Sequence, residues 1–260
     1  MKLNILSDLH MDREPWFPVK TEADAIVVAG DLYDDGRKSV HWCAQVAQAH
    51  GKPVIFVAGN HEYYNSVFQE RQQEMKELLA KTTGVYWLDN CAVELNGVRF
   101  VGGTLWTNYL ANGEGMRHLS KHACKDLIAD YRYINTKTRE SSEVLALTPE
   151  HTIALHEDAL RAINPLLEDA YEQPTVIISH HAPALRCLHE RYAGSLSNGA
   201  FASPLESFVA ESMAKLWVFG HLHQSSDFTL GSTRVLSNPR GAHSTLNPDF
   251  NPGLIVKVSR

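Results

Sequence analysis

Five short clusters hold the residues of this chain best suited to chemistry: Ser7-Asp8-Leu9-His10, Gly30-Asp31, Gly59-Asn60-His61-Glu62, Ser179-His180-His181 and Gly220-His221-Leu222-His223. They offer the oxygen and imidazole donors Asp8, His10, Asp31, Asn60, His180, His221 and His223. Neutral imidazole together with carboxylate suits borderline metals such as Zn, Mn, Fe or Ni. No cysteine lies in the clusters, which argues against a structural thiolate zinc site. Seven donors are too many for one tetrahedral ion and suit two ions if one carboxylate bridges them. Two metals about 3.5–4 Å apart serve in-line displacement at phosphorus: they polarise phosphoryl oxygens and lower the pKa of a bridging water, giving hydroxide near neutral pH. Taken singly, the clusters have ordinary explanations, such as turn caps for Asp8 and Asp31 and backbone satisfaction for Asn60. His221 and His223 alternate, so both fall on one side of an extended segment. The residue types alone leave open which of His180 and His181 is the donor.

Each cluster follows an apolar run: Lys2–Leu6, Ala25–Ala29, Pro53–Ala58, Thr175–Ile178 and Leu216–Phe219. Runs of this length fit strands covered on both faces. Residues just beyond such a strand lie at its C-terminal end, the edge where open α/β sheets bind ligands. Periodicity therefore predicts an α/β chain with a parallel-containing sheet. Helices are expected over Ser39–Gln48, Val67–Lys81 and Pro204–Ala214. Thr148-Pro149 reads as an N-cap with proline at the first helical position. The helix after it is expected to extend to about Tyr171, kinked or divided at Pro165. Val93–Trp106 reads as a hairpin around Asn96-Gly97, and Arg234–Leu236 and Leu254–Val258 as further strands. The segment from Thr107 to Thr148 is mixed, partly helical and too polar for a central strand, and could cover an active site. No boundary divides the chain, so one domain is expected over residues 1–260.

The 260 residues are 44% hydrophobic and 21% charged, an ordinary globular balance. A net charge of −6 gives no electrostatic footprint for a nucleic-acid backbone. No run approaches the length of a membrane span, and Met1–Leu6 contains no long apolar leader segment. Cys43, Cys91, Cys124 and Cys187 are widely spaced, which reads as reduced thiols in a cytoplasmic protein. Of the 14 histidines, His118, His122, His151 and His156 read as surface or internally satisfied.

Taken in order, Asp8-x-His10, Gly30-Asp31, Gly59-Asn60-His61-Glu62, His180 and Gly220-His221-x-His223 resemble the motifs of the calcineurin-like metallophosphoesterase superfamily, over about residues 8–223. The resemblance implies an αββα sandwich: two mixed sheets flanked by helices, with a partly helical insert (about 107–148) near the active site. It implies that Asp8, His10 and His223 hold one metal, that Asn60, His180 and His221 hold the second, and that Asp31 bridges them. His61, beside Asn60, would act near the leaving group as general acid or as a hydrogen bond to the transition state, with Asp31 and Asn60 as the other catalytic residues and Asp34 or Glu62 orienting a histidine.

Two departures refine the branch. The serine/threonine phosphatases of this superfamily carry arginines where this chain has Ala58 and, after Gly30-Asp31, Asp34-Asp35-Gly36. The bidentate grip on a phosphate dianion is therefore missing. Purple acid phosphatases have a tyrosine where Asp34 stands. What remains is similar to the small bacterial metallophosphoesterases, and a diester, with one charge fewer, fits the loss of arginines. The expected activity is a phosphodiesterase using two divalent or trivalent ions and a metal-activated hydroxide on a small phosphate ester. The alternatives are a phosphomonoesterase, a nuclease of the same superfamily, or a non-catalytic metal-binding scaffold. A membrane partner is not expected, and the sequence sets no oligomeric state. In Asp130-Tyr131-Arg132-Tyr133, Tyr131 and Arg132 are candidate substrate contacts. Asn198–Phe201 is a candidate cleft border, and Arg240 is expected in a structural salt bridge.

Overall fold

The computed structural model describes residues 1–137, 143–168, 172–242 and 246–259. The strands are β1 (Lys2–Leu6), β2 (Ala25–Ala29), β3 (Val54–Val57), β4 (Ser66–Val67), β5 (Val85–Trp87), β6 (Cys91–Leu95), β7 (Val98–Gly103), β8 (Ile134–Lys137), β9 (Val144–Ala146), β10 (Thr175–Ser179), β11 (Leu216–Val218), β12 (Ser226–Leu230), β13 (Thr233–Ser237) and β14 (Ile255–Lys257). The helices are α1 (Gly36–His50), α2 (Phe68–Leu79), α3 (Arg117–Leu127), α4 (Asp130–Tyr133), α5 (Pro149–Glu168) and α6 (Glu206–Glu211).

One sheet has the order β14-β1-β2-β3-β5 and a second β12-β13-β11-β10-β7-β6. In the first, β1, β2, β3 and β5 are parallel and β14 is antiparallel. In the second, β7, β10, β11 and β13 are parallel between antiparallel edges. Side-chain alternation explains why each central run is apolar throughout. Val27 and Ala29 of β2 and Ile55 and Val57 of β3 join Val176 and Ile178 of β10 and Leu216 and Val218 of β11 in one core between the sheets. The intervening Ile26, Val28, Val54 and Phe56 face a second core with α1 and α2 residues such as Val40, Val46 and Met75. On the far side, Ile177 and Trp217 pack with Ala159 of α5 and Val209 of α6. The layers are thus helix, sheet, sheet, helix, as the resemblance implies.

Local signals set several boundaries. The Asp35 carboxylate accepts from the Arg37 N–H and caps α1, which ends at Gly51 in the left-handed region (φ 62°). Asn96 and Gly97, both at positive φ, turn β6 into β7. Pro165 does not divide α5, which runs past it to Glu168. The expected extension to Tyr171 lies outside the described residues. The helix expected over Pro204–Ala214 is confined to Glu206–Glu211. The 107–148 segment contributes more than helix: its β8 and β9 join β4 from outside the segment in a third, mixed sheet beside α3 and α4. Among the described residues, no helix is long and apolar enough to cross a membrane.

Ile178 is fully buried between the two large sheets. Ile178→Ala is expected to lower the unfolding free energy by about 2–5 kcal/mol. Urea denaturation should show this as a lower midpoint with an unchanged slope; an unshifted midpoint would contradict the packing described.

Candidate metal centre

The clusters after β1, β2, β3, β10 and β11 converge at one edge of the sandwich. The segment after β1 lies along the segment after β2, through Asp8 N–H to Gly30 O (3.0 Å) and His10 N–H to Asp31 O (3.1 Å). The Gly220 N–H donates to His180 O (3.0 Å) and joins the β11 exit to the β10 exit. Asp8, His10, Asp31, His221 and His223 all have positive φ, between 45° and 70°. This left-handed backbone turns their side chains inward at a cost of about 1–2 kcal/mol per residue, and Asp and His tolerate it better than most.

Asp31 occupies the middle of the cluster and is 1% exposed. Its Oδ2 lies 3.3 Å from His180 Nε2, 3.8 Å from His61 Nε2 and 3.9 Å from His10 Nε2. Its Oδ1 accepts from the His61 backbone N–H at 3.0 Å. On one side, Asp8, His10 and His223 bring donor atoms within 4.8 Å of one another; on the other, Asp31, His180 and His221 do the same. Asn60 Oδ1 is 3.0 Å from His180 Nε2. His180 is oriented from behind by the Ala29 carbonyl, 2.8 Å from Nδ1. His181 faces elsewhere, with Nδ1 3.2 Å from the Thr104 carbonyl.

Two features fit cations at this place. Asp8 Oδ1 accepts from the His221 N–H (2.9 Å), but its Oδ2 is buried with no hydrogen-bond partner. His10 Nε2 and His223 Nε2 face each other at 2.9 Å. The set of carboxylate, imidazole and amide oxygen suits borderline divalent ions.

Electrostatics follow the same geometry. Burial works to raise the Asp31 carboxyl, but His180, His61 and His10 outweigh it and hold the group well below the usual carboxylate range. Burial likewise opposes charge on His180, yet Asp31 and Asp8 push it up to about 10. Burial dominates at His10 and His181, each lowered to about 3.

His61 sits beside these donors. Its Nδ1 lies 2.6 Å from Asp34 Oδ1, and its ring stacks on Tyr64 (centroids 4.2 Å apart). Burial disfavours its charged form, but Asp31 and Asp34 outweigh this and raise it to about 9. Asp34 is thus the acid that orients a histidine. Glu62 contacts backbone instead. Its Oε1 accepts from the N–H of Leu32 (2.7 Å) and the Ser39 hydroxyl (2.8 Å), and its Oε2 from the N–H of Asp31 (3.0 Å) and Gly59 (2.7 Å). One buried carboxylate thereby ties the β2 exit to the β3 exit. At Gly59 the chain runs so close to Asp31 that a Cβ would collide with the carboxylate. Asp31 and Asn60 are brought together by this clamp.

The insert lies near the cluster, as the resemblance implies. Tyr131 is a core residue, 8% exposed, with its hydroxyl paired to that of Tyr109; burial of its ring leaves little surface for the expected substrate contact. Arg132 is exposed. The residue of this segment that reaches the cluster is Asp130, whose Oδ1 accepts from Asn60 Nδ2 and from the Tyr64 hydroxyl, each at 2.8 Å. Asp130 was legible only as a member of a polar-aromatic stretch and Tyr64 was not singled out, because their pairing depends on a tertiary approach. Phe201 lies against the His221 ring (centroids 5.0 Å apart), at the expected cleft border. Arg240 donates to the carbonyls of Leu9 and Glu14 and pairs with the Glu14 carboxylate, bracing the β1 exit. His118 and His122 are exposed, and His156 is buried with Nδ1 against the Leu105 and Trp106 carbonyls. The four cysteines are unpaired.

Comparisons with known proteins agree with this architecture. A sequence model described as calcineurin-like phosphoesterase matches residues 1–225. The chain is 24% identical over 283 residues to an uncharacterized protein of Acanthamoeba polyphaga mimivirus, covering 99% of this chain and 97% of that one. It shares its fold with a solved phosphopantetheinyl hydrolase of Mycobacterium tuberculosis at a TM-score of 0.69 and 17% identity, over 97% and 98% of the two chains.

Of the Leu32, Ser39, Asp31 and Gly59 groups that bond the Glu62 carboxylate, three are backbone N–H groups, which can only donate, so an amide nitrogen at either carboxylate position would face at least one of them. Glu62→Gln is expected to lower stability by about 1.5–3 kcal/mol, read by urea denaturation of the metal-free chain. Unchanged stability would mean that Glu62 does not tie the two exits together.

Proposed function

The chain belongs to the calcineurin-like phosphoesterase family, and from that premise we propose that it is a phosphodiesterase with a dinuclear metal centre. One observation carries this reading: the buried Asp31 carboxylate stands between the donors Asp8, His10 and His223 and the donors His180 and His221. In this reading Asp8, His10 and His223 hold one ion, Asn60, His180 and His221 hold the other, and Asp31 contacts both. When bound, such ions polarise phosphoryl oxygens and lower the pKa of a water that attacks phosphorus. Imidazole with carboxylate is compatible with Mn, Fe, Zn or Ni. The four unpaired cysteines support a reducing, cytoplasmic setting.

The remaining chemistry belongs to His61. Asp34 holds its Nδ1, so the proton available for transfer sits on Nε2, on the side of Asp31. Tyr64 fixes the ring plane by stacking. His61 then protonates the leaving alcohol oxygen as the ester bond breaks, and Asp34 stabilises the charged imidazole beforehand.

The diester preference is supported by the cations near this edge. A cavity of about 410 Å³ borders Asp34 and Tyr64 and is lined by Arg37, Lys38 and Arg71 among others. Lys38 pairs with Asp12, and Arg37 and Arg71 pair with Asp35 and with Glu74; Arg13 is the fourth cation of the lining. Three of the four cations lining the cavity thus already face carboxylates, which favours a singly charged diester over a dianionic monoester. A small phosphate ester is the substrate class. A phosphopantetheinyl ester belongs in the test set because a protein of similar fold is named for that activity.

Matched p-nitrophenyl monoesters and diesters, assayed with bound metal counted on the same sample, test the proposal. Expected are diester turnover, about two ions per chain, and loss of both on chelation. Preference for the monoester would make the chain a phosphomonoesterase, and no turnover at full Mn occupancy would favour a binding scaffold. His61→Ala should reduce kcat about 10²–10⁴-fold with metal content unchanged; an undiminished rate would remove His61 from the mechanism.

A further inference from the structure

A side-chain amide has two ends of nearly equal size, an oxygen that accepts and an NH2 that donates. Only the oxygen can serve a cation, so an asparagine beside a metal needs something that chooses between the two. Asn60 is 3% exposed and has Oδ1 toward His180 Nε2 at 3.0 Å. Its other end, Nδ2, donates to Asp130 Oδ1 at 2.8 Å and to the Tyr64 hydroxyl at 3.3 Å. The Tyr64 hydroxyl in turn donates to the same Asp130 oxygen at 2.8 Å. Turning the amide over would set Asn60 Oδ1 against Asp130 Oδ1, two acceptors in a buried place.

We infer that Asp130, carried by the insert, is a positioning residue that sets the orientation of the Asn60 amide and so presents its oxygen to the metal centre. The inference rests on the reading of Asn60 as a ligand. The insert is attached just beyond this contact. The Asn65 N–H donates to the Tyr133 carbonyl at 2.7 Å, and Ser66 and Val67 of β4 pair with Ile134 and Asn135 of β8. The loop carrying Asn60, His61 and Tyr64 is therefore held in register with α4, and Asp130 reaches Asn60 from that fixed base. Tyr64 connects the same anchor to His61, on which it stacks. The insert thus acts at the centre through a hydrogen bond that selects one of two amide orientations.

The test is calorimetric titration of Mn²⁺ into the metal-free chain and into Asp130→Ala, Asp130→Leu and Asp130→Asn, with thermal melting of each metal-free protein alongside. Leucine keeps the volume without an acceptor; asparagine keeps an acceptor oxygen without the charge. For Ala and Leu, one of the two ions is expected to bind about 10- to 100-fold more weakly, with the other unchanged. Asp130→Asn is expected to bind both ions close to the wild type. Wild-type binding by the Ala and Leu variants, equal weakening of both ions, or an Asn variant as weak as the Leu variant would each overturn the inference. A wild-type chain that takes up no Mn²⁺ would instead overturn the metal-centre reading itself.

Discussion

Burying a carboxylate where two sheets meet is the constraint that the rest of this edge answers to. An ion taken out of water loses several kcal/mol of solvation unless opposite charge and hydrogen bonds replace it. Asp31 receives both: the His61 N–H on one oxygen, and the imidazoles of His180 and His61, both pushed toward the charged form, around the other, with the neutral His10 ring beside them. Those imidazoles come from separate strand exits, so the exits must converge within a few ångströms. The left-handed backbone at Asp8, His10, Asp31, His221 and His223 is how such short loops turn their side chains to one point. The two packed sheets keep the exits from relaxing out of it.

The loops are held from more than one direction. Glu62 ties the β2 exit to the β3 exit from inside, and Arg240 braces the β1 exit from the C-terminal part of the chain. Gly59-Asn60-His61-Glu62 is then a unit in which each residue has a separate task. Gly59 allows close approach to Asp31, Asn60 reaches His180, His61 stands beside the carboxylate and Glu62 holds the backbone. The insert adds a third hold, through α4 and the small β4-β8-β9 sheet.

Much of the fold was legible because burial on both faces demands continuous apolar runs. Lys2–Leu6 and Ala25–Ala29 are strands with those same bounds, and the Asn96-Gly97 hairpin is where its turn chemistry puts it. The insert was legible only as mixed. Its strands β8 and β9 have four and three residues, β8 joins a two-residue β4 from outside the insert, and such segments pair because neighbouring elements bring them together rather than because of their own pattern. Pro165 was expected to kink or divide its helix, and α5 runs past it to Glu168.

The sequence by itself determined which donor types stand at the ends of which strands, and hence a family and a chemistry. Period-two alternation and strand direction are local properties that carry over directly to which edge those residues occupy. Only the tertiary structure decided which polar partners meet there. Asp130 rather than Tyr131 faces Asn60, 70 residues away, Asp34 rather than Glu62 orients His61, and His180 rather than His181 faces Asp31. Neighbouring residues of similar polarity have almost the same local preferences. Which of them turns inward depends on where distant backbone donors, carbonyls and carboxylates have been brought, and that is a property of the packed sheets.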